Sequence, residues 1–335
     1  MVFVSGATGF LGAHIVCSLL QNGYTVMGLK RQAASLAELE FIARCRLGKG
    51  HKENLEQVVW REGNILDYES LMQAMAGADY VIHAAASVSF WSKESLQMYE
   101  TNVEGSANML EVAKNLGVKG FCHVSSIAAV GRTEAGVTIN EKNEWQDSPL
   151  NSHYGISKHL AEMEVWRAQE EGLPVVIVNP GVILGEGSLK KSSGRLLGKI
   201  LSGIPYYTDG TNGYVDAIDV ATCIVLLMQK QIEGQRFILV SENLSSKTIV
   251  NLGRNLSGKP EAKWRLNKLI MQVAAFVLHL KSLIDGKAPL VNAETARTSG
   301  QTYIYSNAAI KEATGYEFTP IFTTLQRVKE FFNTK

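Results

Sequence analysis

Val2-Phe3-Val4-Ser5-Gly6-Ala7-Thr8-Gly9-Phe10-Leu11-Gly12 opens the chain: a short apolar run, a turn with glycine at every third position, and then the helical pattern Ala13 to Leu20. The hydrophobic period changes from that of a strand to that of a helix across the glycines. Glycine lets a backbone turn tightly and approach a ligand, and the helix start behind it offers amide donors that have no acceptor within the helix. Such a strand, turn and helix can hold the pyrophosphate of a dinucleotide, with Thr8, Phe10 and Leu11 beside Gly6, Gly9 and Gly12. The spacing departs from the commoner Gly-x-Gly-x-x-Gly, and a plain strand-to-helix connection uses the same residues. The position of the turn between a strand and an amphipathic helix favours the binding reading.

Outward from this unit the alternation continues. Strands are expected near residues 2, 24, 57, 80, 121 and 175, separated by helical patterns, which implies an α/β chain with a parallel, doubly wound sheet. Gly172-Leu173-Pro174 closes the helix before the last of these strands. After Pro180 the chain is expected to leave the sheet, and Val215-Asp216-Ala217-Ile218-Asp219-Val220 to start a helix that returns to it. Phe237 to Val240 reads as a further strand, and Thr248 to Leu256, Lys268 to Leu283 and Phe322 to Phe332 read as helices. The 335 residues are 46% hydrophobic and 19% charged, enough to cover a sheet on both faces. With 33 basic and 32 acidic residues the net charge is +1, so bulk electrostatics do not imply a nucleic-acid partner.

Ser152-His153-Tyr154-Gly155-Ile156-Ser157-Lys158 places a phenol and an ammonium four apart, on one face of a helix. A phenol near pKa 10 is a poor acid, and bringing it to neutrality requires roughly 4 kcal/mol of differential stabilisation, which a nearby cation can supply. Tyr154 is thus a candidate proton donor and Lys158 its charge partner. By itself the pair is also an ordinary helix face.

With the glycine turn ahead of it, this pair resembles the extended short-chain dehydrogenase/reductase family, and the resemblance covers most of the chain. Further matches are His83-Ala84-Ala85-Ala86, Asn102 in Thr101-Asn102-Val103-Glu104-Gly105, Ser125-Ser126, and Asn179-Pro180-Gly181, which is expected to follow the strand Val175 to Val178. The run Ser125 to Gly131, with Arg31, is most similar to the dihydroflavonol reductase and 3β-hydroxysteroid dehydrogenase branch. The resemblance implies a Rossmann-type fold: a dinucleotide domain from 1–178 with 215–244, and a smaller, mostly helical substrate domain from 179–214 with 245–335. It implies Ser126 as the catalytic hydroxyl, with Ser125 its near rival, and Asn102 as an anchor for water in a proton relay. A serine hydroxyl can hold the substrate oxygen on which charge grows. The same serines also suit a strand end structurally.

Cofactor contacts are expected from Ala84, Ala85, Ala86, Ser125, Tyr154, Lys158, Pro180, Gly181 and Val182. Tyr24 to Leu29 leads into Lys30-Arg31 and not into an acidic residue, which suits a 2′-phosphate and points to NADP, with NAD possible. Asn64, followed by Ile65, stands where the family places an Asp beside the adenine. The expected activity is hydride transfer between nicotinamide and a carbonyl or secondary alcohol of a hydrophobic small molecule. A nucleotide-sugar epimerase or dehydratase that retains NAD is the rival enzyme, and a dinucleotide sensor without chemistry the rival from another class. A homodimer is expected by fold analogy alone.

Ser87, Val88, Phe90, Trp91, Val130, Gly131, Tyr206, Tyr207 and Tyr214 are candidate substrate neighbours or packing residues. Lys190-Lys191, near Arg195, suits an anionic substrate or a solvated loop. Cys17, Cys45, Cys122 and Cys223 lack Cys-x-x-Cys spacing and read as reduced thiols, and no apolar leader precedes the first strand, so a cytoplasmic location is expected. The seven histidines show no metal spacing, and His83, His123 and His153 read as packed or cofactor-lining. The apolar run Leu269 to Leu278 falls short of a transmembrane span and reads as a core or lid helix, with a surface membrane contact or dimer contact as alternatives.

Overall fold

The computed structural model describes residues 1–89, 91–131, 136–189, 192–285 and 293–333. The chain begins β1 (Val2–Ser5), α1 (Phe10–Gln21), β2 (Val26–Lys30), α2 (Ala37–Leu47), α3 (His51–Glu56), β3 (Val59–Glu62), α4 (Tyr68–Met75) and β4 (Tyr80–His83). It continues as α5 (Ser95–Tyr99), α6 (Gly105–Asn115), β5 (Gly120–Val124), β6 (Thr138–Ile139), α7 (His153–Glu170) and β7 (Val175–Pro180). Then come β8 (Val182–Leu184), α8 (Ser192–Ser202), β9 (Tyr206–Tyr207), β10 (Thr211–Asp216), α9 (Ala217–Gln229), β11 (Gln235–Leu239), β12 (Glu242–Ser245) and α10 (Ser246–Leu256). The last are β13 (Trp264–Arg265), α11 (Lys268–Asp285), α12 (Ala293–Thr298), β14 (Ile304–Tyr305), α13 (Ala308–Thr314) and α14 (Ile321–Asn333).

Seven strands form one parallel sheet in the order β11-β7-β5-β4-β1-β2-β3. Parallel neighbours need crossover connections, and the helices that make them cover both faces. Ile15, Leu19, Ile42 and Ile224 pack on one face, and Leu71, Met75, Leu110 and Val165 on the other. Strands buried on both sides need no alternation, and β1 and β7 are buried along their whole length. The strand order reverses between β1 and β4, and the crevice at their carboxyl ends is where this architecture takes a ligand. The expected doubly wound sheet is therefore present, with β11 as its seventh strand. A second sheet, β12-β10-β8, packs Leu184 and Tyr214 against Leu197, Ile249, Ile321 and Leu325 from α8, α10 and α14.

Four expectations change. Val215 and Asp216 end β10 instead of opening a helix, and Asp216 caps α9 by accepting from Ile218 N at 2.8 Å. Tyr214, a candidate substrate neighbour, is 7% exposed within the second core, and Val130 is buried against Ile127 and Ile139, so both are packing residues. Asn179 and Pro180 lie inside β7 and do not follow it. The run Leu269 to Leu278 does form a helix, but of its side chains only Met271 and Ala275 are buried, so it is not a core helix.

Candidate active site

The glycine turn is shaped by close backbone approach. Gly6 has φ +71°, and a Cβ on it would stand 2.7 Å from Ala85 N in the loop after β4. A Cβ on Gly12 would stand 2.0 Å from Gly6 O, so only glycine lets the first turn of α1 lie on the loop. Gly9 caps α1 with no side-chain hydrogen bond, and no acidic residue occupies the first turn. The first amides of α1, from Phe10, Leu11 and Gly12, thus keep the donors that a helix start offers to an anion. Phe10 turns its ring edge-on to His14 and underlies Gly185 and Gly187. The residues fit a dinucleotide pyrophosphate: a cradle that any side chain would fill, and an uncapped helix start.

At the end of β2, Lys30 is half-buried and Arg31 exposed, with no ion pair of the Arg31 side chain among the described residues. Asn64 Oδ1 accepts from Leu66 N at 3.2 Å, a local turn contact, while Ile65 packs under Gly105.

The switch point is held by a directional chain. Ser5 and His83 are paired in register between β1 and β4, with Ser5 Oγ 2.6 Å from His83 Nδ1. His83 Nε2 lies 3.0 Å from Ser106 Oγ, and Ser106 Oγ donates to Asn102 O at 2.6 Å. Because the serine proton is spent on that carbonyl, Ser106 accepts from His83 Nε2–H, and His83 Nδ1 then accepts from Ser5. Burial, and then the charge of Lys158, pull His83 down to about 3, so the ring is neutral as the chain requires.

Asn102 sits in a π-type turn, Glu100–Glu104, that leads into α6. Its Oδ1 accepts from Ser87 N at 2.8 Å, and its Nδ2 donates to Ser87 O at 2.9 Å and Ser157 Oγ at 2.9 Å. Both amide protons are used, so the side chain fixes the loop after β4 and holds no donor for the expected water. Ala84, Ala85 and Ala86 run along this loop between Gly6 and Ser87.

Tyr154 and Ser126 are brought together. Ser152 caps α7 by accepting from Gly155 N at 2.9 Å, which sets the first turn that carries Tyr154. A Cβ on Gly155 would stand 2.9 Å from Ala128 O, so glycine lets α7 dock on the Ser126–Val130 turn. The Tyr154 phenol is pushed up by burial and lowered by a hydrogen bond with Ser126. Ser126 Oγ also accepts from Ala128 N at 3.2 Å. Two hydroxyls so arranged can share one substrate oxygen.

Lys158 is buried to 1% exposure, and burial brings its ammonium down to about 8, against which the carboxylate of Glu162 acts. Its Nζ donates to Val124 O at 2.7 Å and lies 3.3 Å from His123 Nε2. His123 is held far below the ordinary range by burial, Lys158 and His83, so its neutral ring accepts from the ammonium. In this state Lys158 is turned to the strand end.

Sequence reasoning missed the layer beneath. Glu162, one turn beyond Lys158, accepts from Asn179 Nδ2 at 2.6 Å and pairs with Arg236 Nη1 at 3.4 Å. Asn179 Nδ2 also donates to Ser126 O at 2.9 Å. Burial raises the Glu162 carboxyl, and Ser125, Arg236 and Asn179 oppose the rise. Ser125 Oγ leans toward it without a hydrogen bond of ordinary geometry. The available signal was an acid four residues after Lys158, on a face shared with Ala161 and Val165.

Pro180, Gly181 and Val182 carry the chain from β7 into the second sheet, where Gly181 closes on Gly213 O. Of the remaining candidates, Val88 is exposed, Trp91 lies under Lys93 Nζ, and Tyr207 lies under Lys247 Nζ next to the exposed Tyr206. Gly131 has φ +94°. Phe90, Lys190 and Lys191 lie outside the described residues.

The sequence profile of the NAD dependent epimerase/dehydratase family matches residues 2–253. A Synechocystis protein provisionally named dihydroflavonol 4-reductase is 30% identical over 92% of this chain and 88% of its own length. Cinnamoyl-CoA reductase 1 of Petunia hybrida is 26% identical over 96% of this chain and 88% of that protein. Among solved structures, UDP-glucose 4-epimerase of Thermotoga maritima superposes with a TM-score of 0.76 at 21% identity, covering 99% of this chain and 98% of that one. The chain therefore belongs to the NAD dependent epimerase/dehydratase family and is an NAD(P)-dependent enzyme of the extended short-chain dehydrogenase/reductase type.

Proposed function

We propose that the chain is an NADP-dependent reductase or dehydrogenase acting on a carbonyl or secondary alcohol of a hydrophobic small molecule. The observation that carries this reading is the Ser126–Tyr154 hydroxyl pair with Lys158 one turn along the same helix. The dinucleotide, when bound, supplies or accepts the hydride. Ser126 orients the substrate oxygen, and Tyr154 gives it a proton in reduction or takes one in oxidation. The Lys158 ammonium, once turned from Val124 O, is the charge that stabilises the phenolate. Asn102 acts as a positioning residue for the loop of Ala84 to Ser87. Exposed Arg31, with Lys30 before it, supports a preference for a 2′-phosphate. The reductase names among the relatives support a carbonyl substrate.

The test is absorbance of the reduced nicotinamide when the purified protein meets NADPH or NADH and a panel of apolar ketones, aldehydes and thioesters. Turnover with NADPH that falls at least a hundredfold in Tyr154→Phe is the expected result. Full activity in that variant would refute the role of Tyr154. Tight retention of NAD with turnover of a nucleotide sugar would replace the reading with that of an epimerase or dehydratase. Dinucleotide binding without turnover of either class would make the chain a sensor.

A further inference from the structure

Helix α11 is apolar on two sides, and only one of them is packed. Met271 and Ala275 are buried against Leu266 and Ala296. On the other side Leu269, Ile270, Val273, Phe276 and Val277 are between 46% and 67% exposed. Their spacing, i, i+1, i+4, i+7 and i+8, makes one continuous stripe along the helix. Trp264, in β13 just ahead, is 66% exposed. Singly exposed apolar residues need no explanation, but five on one helix face beside a bare indole form a surface that water does not favour.

The charge around the stripe is in excess basic. From Glu261 to Asp285 the sequence holds Lys263, Arg265, Lys268 and Lys281 against two acids, Glu261 and Asp285, one at each end. Arg265 pairs with Asp209, whereas Lys263 and Lys268 are exposed and make no ion pair among the described residues. The whole chain is balanced at +1, so this excess is local. A second copy meeting this face across a two-fold axis would set one net-cationic segment against another. No helix among the described residues is long and apolar enough to cross a membrane. An apolar stripe with cations at its margin and an aromatic ring at its start is complementary to the surface of an anionic bilayer, where acyl chains lie under phosphates.

We infer that α11 with Trp264 is a membrane-surface anchor that lies flat in the headgroup region of anionic phospholipid. Leu269, Val273 and Phe276 enter the acyl boundary, and Lys263 and Lys268 stay among the phosphates.

Flotation of the purified full chain with vesicles tests this. The protein should float with phosphatidylglycerol–phosphatidylcholine vesicles, several-fold less with phosphatidylcholine alone, and less again in about 0.5 M salt. Val273→Glu combined with Phe276→Glu should lower binding at least tenfold, while Leu96→Glu, at an apolar site 73% exposed on α5, leaves it unchanged. Brominated lipid should quench tryptophan fluorescence in the wild type, and Trp264→Phe should remove most of that quenching without any demand on the fold. Absence of flotation with anionic vesicles at low salt overturns the inference, as does equal loss in Leu96→Glu. Dissociation of a dimer by the Val273 and Phe276 substitutions would overturn it too, assigning the face to a second copy. None of these readouts depends on enzymatic turnover, so the anchor and the proposed reductase can fail separately.

Discussion

At the residue scale, the proposed chemistry turns on an ammonium that is costly to keep charged. Burial brings Lys158 to about 8 from an ordinary value near 10.4, so its charge is present at neutral pH and is lost just above it. Tyr154 shifts the opposite way and keeps its proton through this range. Reduction needs both a protonated phenol and a charged lysine, and the lysine gives way first. The kcat/KM for reduction is expected to be flat below about pH 8 and to fall about tenfold per unit above it. A profile unchanged to pH 10 would remove Lys158 from the proposed mechanism. Tyr154 and Lys158 were legible as a pair because their spacing is local, and Ser126 only through the resemblance of the run that carries it. The partners of Lys158 were not, because Val124 and His123 meet it only after β5 and α7 dock, 34 and 35 residues apart.

At the element scale, glycine decides how closely the pieces of the site meet. Gly155→Ala would push α7 off the Ser126–Val130 turn, since its Cβ would stand 2.9 Å from the Ala128 carbonyl. A displacement near 1 Å costs on the order of a hundredfold in rate, so kcat is expected to fall by roughly that factor. Dinucleotide affinity should change little, because the α1 start is untouched. Equal kcat in Gly155→Ala and the wild type would show that this contact does not set the hydroxyl pair. The helices and strands of the large sheet were readable from period and punctuation. The short strands β8, β10 and β12 were not, because mixed side chains over three to six residues carry little period and their pairing partners lie far along the chain. The π-type turn was equally hidden, since the extra residue in it is a backbone feature with no composition of its own.

At the scale of the whole molecule, the two faces of the sheet bury histidine as well as hydrocarbon. His14, His83 and His123 are fully covered, and burial is the first cause that lowers each, to about 4 for His14 and about 3 for His83. An unfolded chain binds these protons near pH 6.5, whereas the native one refuses them until far lower. The stability this contributes is fully present above about 6.5 and drains as pH falls toward 4, at up to about 1.4 kcal/mol per pH unit for each ring. Urea unfolding at pH 7 and pH 5 is expected to show a loss of several kcal/mol. Equal midpoints at the two pH values would mean that the rings are protonated in the native state. The doubly wound order itself was readable, since alternating strands and helices leave few topologies. The seam between β1 and β4 was not, because Ser5 and His83 lie 78 residues apart.

That seam has a polarity. From Ser5 through His83 and Ser106 to the Asn102 carbonyl every proton is given in one sense, so no single link can be reversed while its neighbours stay as they are. Ala in place of Ser5, His83 or Ser106 strands a buried donor or acceptor on the next, which makes the three side chains an all-or-none inheritance: descendants of this sequence keep them together or rebuild the crossing point with different chemistry.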